Sequence, residues 1–145
     1  MARPRIFLDS SVIIAALLSL QGGSSYVLRE RRERFAFQVN EHVLAETQEI
    51  LVGKLKEQTH LSTTLYILLG VAGVQTVPNP SKSRLTSIGK IISKKDAPIL
   101  LSAMEYSDCL LTLDNEFFKP AVIRAARERD LQILKPGDLI RSFDL

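Results

Sequence analysis

Cysteine is nearly missing from this sequence: Cys109 is the only one in 145 residues. An intrachain disulfide is therefore excluded, which fits a reducing compartment. Cys109 falls in a strand-like apolar run and reads as a small core residue. Histidine is scarce too. His42 and His60, even with that cysteine, cannot supply the usual ligand set of a structural zinc site, and each reads as a surface or helix-end residue. Long apolar runs are also lacking. The stretches "SVIIAALLSL" and "LYILLGVAGV" are about half the ~20 residues needed to cross a bilayer. The opening "MARPRIFLDSS" puts two arginines before an apolar stretch, but Asp9 and Ser10 interrupt it and no small-residue cleavage site follows. These absences lead us to expect a soluble, cytoplasmic protein without a membrane span. The sequence also offers no Gly-rich phosphate loop, no Ser-His-Asp set and no cysteine nucleophile with a partner.

What is present supports a folded domain. Hydrophobic residues make up 46% and charged residues 24%, enough to build a core and stay in solution. The length suits one domain spanning residues 1–145. A net charge of +3 and a pI of about 9.2 are mildly basic, compatible with a nucleic-acid partner.

Strand and helix signals alternate along the chain. "RIFLD", "FAFQVN", "VQTVPNP", "CLLTLD" and "LQILKP" read as strands. Helices are expected over "SSVIIAALLSL", over "SYVLRERRERF" with Ser24 or Ser25 as its cap, and over "EHVLAETQEILVGKLKE". Further helices are expected over "LSTTLYILLGVAG", over "DAPILLSAMEYS" capped by Asp96, and over "KPAVIRAARERD". "SRLTSIGKIISKK" is ambiguous, and "GDLIRSFDL" suggests a last helical turn. The strands are apolar at consecutive positions, the pattern of a parallel sheet covered on both faces. The fold class expected is α/β: a three-layer α/β/α sandwich with a mostly parallel sheet of about five strands.

In such sheets, ligands bind beyond the carboxyl ends of the strands. Asp9 follows "IFL" and Asp114 follows "LLTL". Asp96 begins the helix that feeds the Asp114 strand, and Glu46 sits in the first two turns of the helix after the second strand. Four acids thus approach one rim from four segments. Each has a plainer use. Asp9 and Asp96 are good helix caps, Glu46 and its competitor Glu49 suit a solvated helix face, and Asp114-Asn115 suits a turn. Together, however, like charges at short range are costly, and a divalent cation reverses the sign of that cost. Hard oxygen ligands suit Mg²⁺ or Mn²⁺. Such ions activate water and stabilise a phosphodiester in flight, and two-metal sites hold them roughly 3.5–4 Å apart.

With those residues in view, the sequence resembles the PIN-domain family of ribonucleases, in particular the toxin-like members of prokaryotic toxin–antitoxin modules. "IFLDSSVIIAAL" is similar to the family's opening strand and helix, with Asp9 as the first acid. "VLAETQEIL" resembles the second motif, with Glu46 in the acid position. "DAPILLSAMEYSDCLLTLDNEFF" resembles the third and fourth motifs together. Asp96 and Asp114 fill the two acid positions there, eighteen residues apart, and the run carries the family's Thr-x-Asp ending. Glu116 matches a less regular fifth position. The resemblance covers residues 5 to 134. It departs from the family pattern after Asp9, where Ser10 and Ser11 stand in place of Asn or Thr, and between Gly73 and Asp96, where no motif is evident.

The resemblance implies metal-dependent hydrolysis of RNA. Asp9, Asp96 and Asp114 would hold the ion, Mg²⁺ or Mn²⁺, with Glu46 helping to place it or to orient water. Thr112 or Ser11 would bond a metal-bound water, and Glu116 would stand one layer further out. Lys94 and Lys95 would meet substrate phosphates. A cognate antitoxin and a homodimer are further expectations of the resemblance. Phe117 and Phe118 should anchor the loop that carries Asp114, and Asp108 reads as structural. "RERRER" at 29–34 reads as a solvated helix with pairs such as Glu30–Arg34, and Tyr26, Phe35 and Phe37 as core or interface residues. Two other functions compete. One is a PIN-like module that acts mainly by binding a partner. The other is an aspartyl phosphohydrolase, which normally carries a second Asp where Ser11 stands.

Overall fold

The computed structural model describes residues 2–145. Five short strands form one sheet: β1 (Arg5–Leu8), β2 (Ala36–Val39), β3 (Gln75–Thr76), β4 (Cys109–Leu111) and β5 (Gln132–Leu134). Their order is β3-β2-β1-β4-β5, and every pairing is parallel. Ile6, Phe7 and Leu8 in β1, and all of β4, are buried. This is why their sequences are continuously apolar: a central parallel strand has helices over both faces. At the edge, β3 is two residues long and exposed.

The helices complete a three-layer α/β/α sandwich. They are α1 (Ser10–Leu18), α2 (Gly23–Ser25), α3 (Glu41–Val52), α4 (His60–Ala72), α5 (Lys82–Ile88), α6 (Ala97–Tyr106), α7 (Pro120–Arg127) and α8 (Pro136–Ser142). In α1, Val12, Ile13, Ala16 and Leu17 turn inward, the spacing of one helical face. In α6 every residue from Ala97 to Met104 is buried. Gly73 closes α4 in the left-handed region, at φ 67°. Its N–H reaches Gly70 O, and the Val74 N–H reaches Leu69 O, which satisfies carbonyls that the helix end would otherwise leave open. Among the described residues no single helix is long and apolar enough to cross a membrane.

Three local expectations need correction. "SYVLRERRERF" is not one α-helix. The three-residue α2 runs into a π-helical turn, Tyr26–Glu30, and a 3₁₀ turn follows at Arg32–Arg34. After the buried pair Val27 and Leu28, residues 29–34 are all charged. No apolar face remains there to support a helix by packing, and the chain must straighten to bury Phe35. The Glu30–Arg34 pair consequently does not form among the described residues. Ser24 and Ser25 do not cap this segment. Both are buried, and Ser25 Oγ accepts from the Arg29 guanidinium. The third helix stops at Val52 with Gly53 as its cap, short of "GKLKE", because Lys54, Lys56 and Glu57 are exposed and extend no apolar stripe.

Candidate functional site

The strand order reverses at β1. The chain moves outward to β2 and β3 on one side and to β4 and β5 on the other. The crevice beyond the carboxyl ends of β1 and β4 is thus a topological switch point, the usual ligand position in an open parallel sheet. Both strands end there in acids.

Asp9 continues the ladder by one bond, from its N–H to Leu111 O at 3.1 Å. Its carbonyl begins α1, but its side chain makes no cap bond. Instead Oδ2 accepts from Ser11 Oγ at 2.6 Å and Thr112 Oγ1 at 2.8 Å. Those hydroxyls in turn accept backbone N–H groups, Ser11 from Leu113 at 3.0 Å and Thr112 from Asp114 at 3.0 Å. A hydroxyl has one proton to give, so both donate it to Asp9. Ser11 and Thr112 therefore clasp the end of β1 to the loop leaving β4 and fix the Asp9 rotamer.

Asp114 serves in the turn as well as at the rim. Its Oδ1 accepts the Glu116 N–H at 3.0 Å and caps the 3₁₀ turn Asn115–Phe118. Phe117 is wholly buried beneath this turn. Phe118 is half-buried and packs under the Lys135 amine, 5.3 Å from the ring centre.

Asp96 departs from its expected capping role. Its side chain makes no cap bond to α6, and Oδ2 instead accepts from Ser93 Oγ at 3.1 Å. The residue lies in the right-handed region, at φ −93° and ψ −17°, not in the extended conformation that N-cap geometry requires. Glu46 points inward from α3 while Glu49 is exposed. Glu46 Oε1 accepts from Ser10 Oγ, and Oε2 lies 3.8 Å from Lys95 Nζ.

The electrostatics tie these four acids together. Burial pushes the Asp9 carboxyl above its ordinary range; the charges of Glu46 and Asp114 add to the rise, and the bonds from Ser11 and Thr112 oppose it. Asp96 is raised in the same way, first by burial and then by Asp114, Asp9 and Glu46, against the bond from Ser93. Each acid thus feels others from separate segments. Asp9 Oδ1 and Asp96 Oδ1 receive no hydrogen bond among the described residues. Among the described residues no buried side-chain oxygen lacks a partner, so both are open to solvent. As the side chains lie, no three His, Cys, Asp or Glu among the described residues stand in ligating position around one point. Chemically, the donors are hard carboxylate oxygens of the kind that suit Mg²⁺ or Mn²⁺.

The remaining candidates scatter around this rim. Glu116 is exposed and ion-paired with Lys119 at 2.6 Å, and its charge does not contribute to the shifts of Asp9 or Asp96. Lys94 and Lys95 are both exposed; Lys95 meets Glu46, and Lys94 borders a hollow beside Ala97. His42 is not isolated, since its Nε2 bonds Lys95 O at 2.7 Å and steadies the turn that carries Asp96. Cys109 is buried, and burial pushes its thiol up to about 12.

Sequence reading missed Asn40. It is fully buried, and its Oδ1 accepts the Val43 N–H at 3.0 Å, capping α3. Its Nδ2 donates to Pro98 O at 3.1 Å and Ser102 Oγ at 2.9 Å in α6. Ser102 Oγ donates onward to Pro78 O at 2.9 Å. This polar bridge locks the helix bearing Glu46 to the helix that follows Asp96. The available signal was an Asn between a strand and a helix, which marks an N-cap; nothing local pointed to α6.

No family model matches the sequence, and no curated protein matches it. Solved structures do. The crystal structure of PAE2754 from Pyrobaculum aerophilum superposes with a TM-score of 0.66 at 14% identity, over 97% of this chain and 97% of its own. The crystal structure of VapBC2 from Rickettsia felis, bound to a DNA fragment from their promoter, gives a TM-score of 0.64 at 20% identity, over 90% of this chain and 98% of its own. At these identities the likeness establishes architecture, and the fold of this chain is PIN-like.

Proposed function

We propose that this chain is a divalent-metal-dependent endoribonuclease and the toxin of a toxin–antitoxin pair. The observation that supports the reading is that Asp9 and Asp96, beside the switch point, are both raised by burial and by the charges of the other acids, Glu46 and Asp114 among them. A cluster that costs stability is explained by a ligand that relieves the cost. Asp9, Asp96 and Asp114 would hold Mg²⁺ or Mn²⁺, with water completing the shell, and Glu46 would stand beside them. The bound ion supplies a polarised water and a positive charge for the phosphodiester oxygens. The chain's own residues do the positioning. Ser11 and Thr112 hold Asp9, Ser93 holds Asp96, and the Asn40 bridge holds α3 against α6. Lys94 and Lys95 would meet phosphates, and Lys95 would exchange Glu46 for substrate. The structural likeness to VapBC2 supports the toxin reading and an antitoxin partner.

The test is cleavage of structured and single-stranded RNAs in Mg²⁺, in Mn²⁺ and in EDTA. Metal-dependent cutting that is lost in Asp9→Asn and Asp114→Asn is the expected result; cutting that is unchanged in both variants sinks the reading. One observation favours the second reading, a PIN-like binding module with little turnover: among the described residues no three of the acids converge on one point. That reading gains if Mn²⁺ binds neither the wild type nor Asp96→Asn.

A further inference from the structure

Asp96 reaches the acid rim on a turn that has little packing of its own. The chain arrives from α5, which buries none of its residues. Ile92 is the one buried side chain between α5 and Asp96, and Ser93, Lys94 and Lys95 are all exposed. Inside the turn, the Asp96 and Ala97 N–H groups both reach Ser93 O, at 3.1 Å and 2.9 Å, and Ser93 Oγ donates to Asp96 Oδ2. Among the described residues, the polar side-chain contacts that reach residues 93–96 from elsewhere in the chain both come from α3. His42 Nε2 meets Lys95 O at 2.7 Å, and Lys95 Nζ lies 3.8 Å from Glu46 Oε2. His42 and Glu46 are four residues apart and so share one face of α3. Lys95 is thereby tied to that face at its backbone and at its side chain, directly before Asp96. The two ties differ in weight. The Lys95 side chain is 71% exposed, and an ion pair of that kind is worth little in water. The bond from His42 ends on a main-chain carbonyl and restrains the backbone itself. A carbonyl only accepts, so Nε2 carries the proton.

We propose that His42 is a positioning residue for the acid rim. By donating to Lys95 O it holds the turn at 93–96 against α3, and so fixes Asp96 relative to Glu46 on the same helix. Without that bond the turn keeps three exposed residues and a weak ion pair, and a segment with so few buried contacts opens at little cost. The mechanical part of the claim stands on these contacts alone. Its consequence for metal affinity rests on the nuclease reading. A carboxylate held in place before the ion arrives binds it more tightly than one that must first be ordered. The role asks for an N–H at the reach of Nε2 and for no charge, since imidazole and imidazolium both keep that proton. Glutamine carries its amide nitrogen to about the same reach. Asparagine is one carbon too short.

The experiment is amide hydrogen exchange read by NMR on the full chain in EDTA, for wild type, His42→Ala, His42→Gln and His42→Asn. The amides of Asp96 and Ala97 report the turn, and those of Phe7 and Leu110 in the central strands report global opening. His42→Ala should speed exchange at Asp96 and Ala97 about five- to tenfold and leave Phe7 and Leu110 unchanged. His42→Gln should restore slow exchange, and His42→Asn should behave like His42→Ala. Calorimetry with Mn²⁺ on the same proteins should show affinity about tenfold weaker in His42→Ala and recovered in His42→Gln. Unchanged exchange at Asp96 and Ala97 in His42→Ala overturns the clamp. Equal acceleration at Phe7 and Leu110 overturns it too, because it marks a general loss of stability. Equal loss in His42→Ala and His42→Gln removes the Nε2 bond as the cause. Faster exchange in the turn with wild-type Mn²⁺ affinity overturns the link to the metal. If wild type binds no Mn²⁺ and cuts no RNA, the nuclease reading falls, and the exchange rates still decide the clamp.

Discussion

The same two strands end in opposite electrostatic arrangements. At their amino ends, Arg5 opens β1 and Asp108 precedes β4, and the two pair closely. The Arg5 N–H reaches Asp108 Oδ2 at 2.8 Å, and its guanidinium reaches both carboxylate oxygens, at 3.2 Å and 2.9 Å. The guanidinium beside Asp108 holds that carboxyl below its ordinary range. At the carboxyl ends, Asp9 and Asp114 meet Asp96 and Glu46. Lys95 is the one cation paired with any of these four among the described residues, and Asp9 and Asp96 are pushed upward. One end uses charge to hold strands in register. The other holds a repulsion that folding alone does not explain, and such places in a structure point to function.

The sharpest way to break this contrast is to neutralise one acid. Asp9→Asn keeps the acceptor for Ser11 and Thr112 but removes the charge. RNA cleavage should fall by at least about a hundredfold, the loss of a few kcal/mol of charge stabilisation, as read in a metal-supplemented cleavage assay. The same variant should melt at a higher temperature than wild type in EDTA, since a buried charge among like charges is removed. A lower melting temperature would show that the acid end is not under electrostatic stress.

Next in size is the bridge that holds the rim in place. Asn40→Ala removes the cap of α3 and leaves Pro98 O and Ser102 short of a donor, so unfolding in urea should show a loss of about 2 kcal/mol. If Asn40 also positions Glu46 against Asp96, cleavage should drop more than stability predicts, and Asn40→Asp should not restore it, because a carboxylate cannot donate to Pro98 O.

The smallest effect belongs to the amino end. Arg5 and Asp108 are each about half exposed, so Asp108→Ala should cost less than about 1 kcal/mol and leave cleavage unchanged. Its sign with pH is fixed by the direction of the shift. The folded carboxyl titrates below its unfolded value of 3.8, so the stabilisation is present above that value and lost as pH falls through the folded one. Urea midpoints of wild type and Asp108→Ala should converge in that acid range; a gap that persists there would contradict the pairing.

Much of this arrangement is legible in the chain. The strand order of appearance, the buried character of "CLLTLD" and the acids at the strand ends follow from apolar runs and from what interrupts them, and both are local signals. The clasp of Ser11 and Thr112 on Asp9, and the Asn40 bridge to Pro98 and Ser102, are not legible. They join residues about a hundred and about sixty positions apart, and no periodicity encodes such contacts. Asp96 misled for a different, local reason. Its sequence context suits a cap, but Ser93 competes for the carboxylate. The "RERRER" run misled because helical charge spacing is no substitute for an apolar face.

The central claim is that a divalent cation relieves the repulsion at the carboxyl end. Isothermal calorimetry of Mn²⁺ into the wild-type protein and into Asp96→Asn tests it most directly. The account predicts saturable binding to the wild type, weakened at least about tenfold in the variant, each tenfold being worth about 1.4 kcal/mol. Equal affinity in the two proteins, or no binding to either, would contradict it.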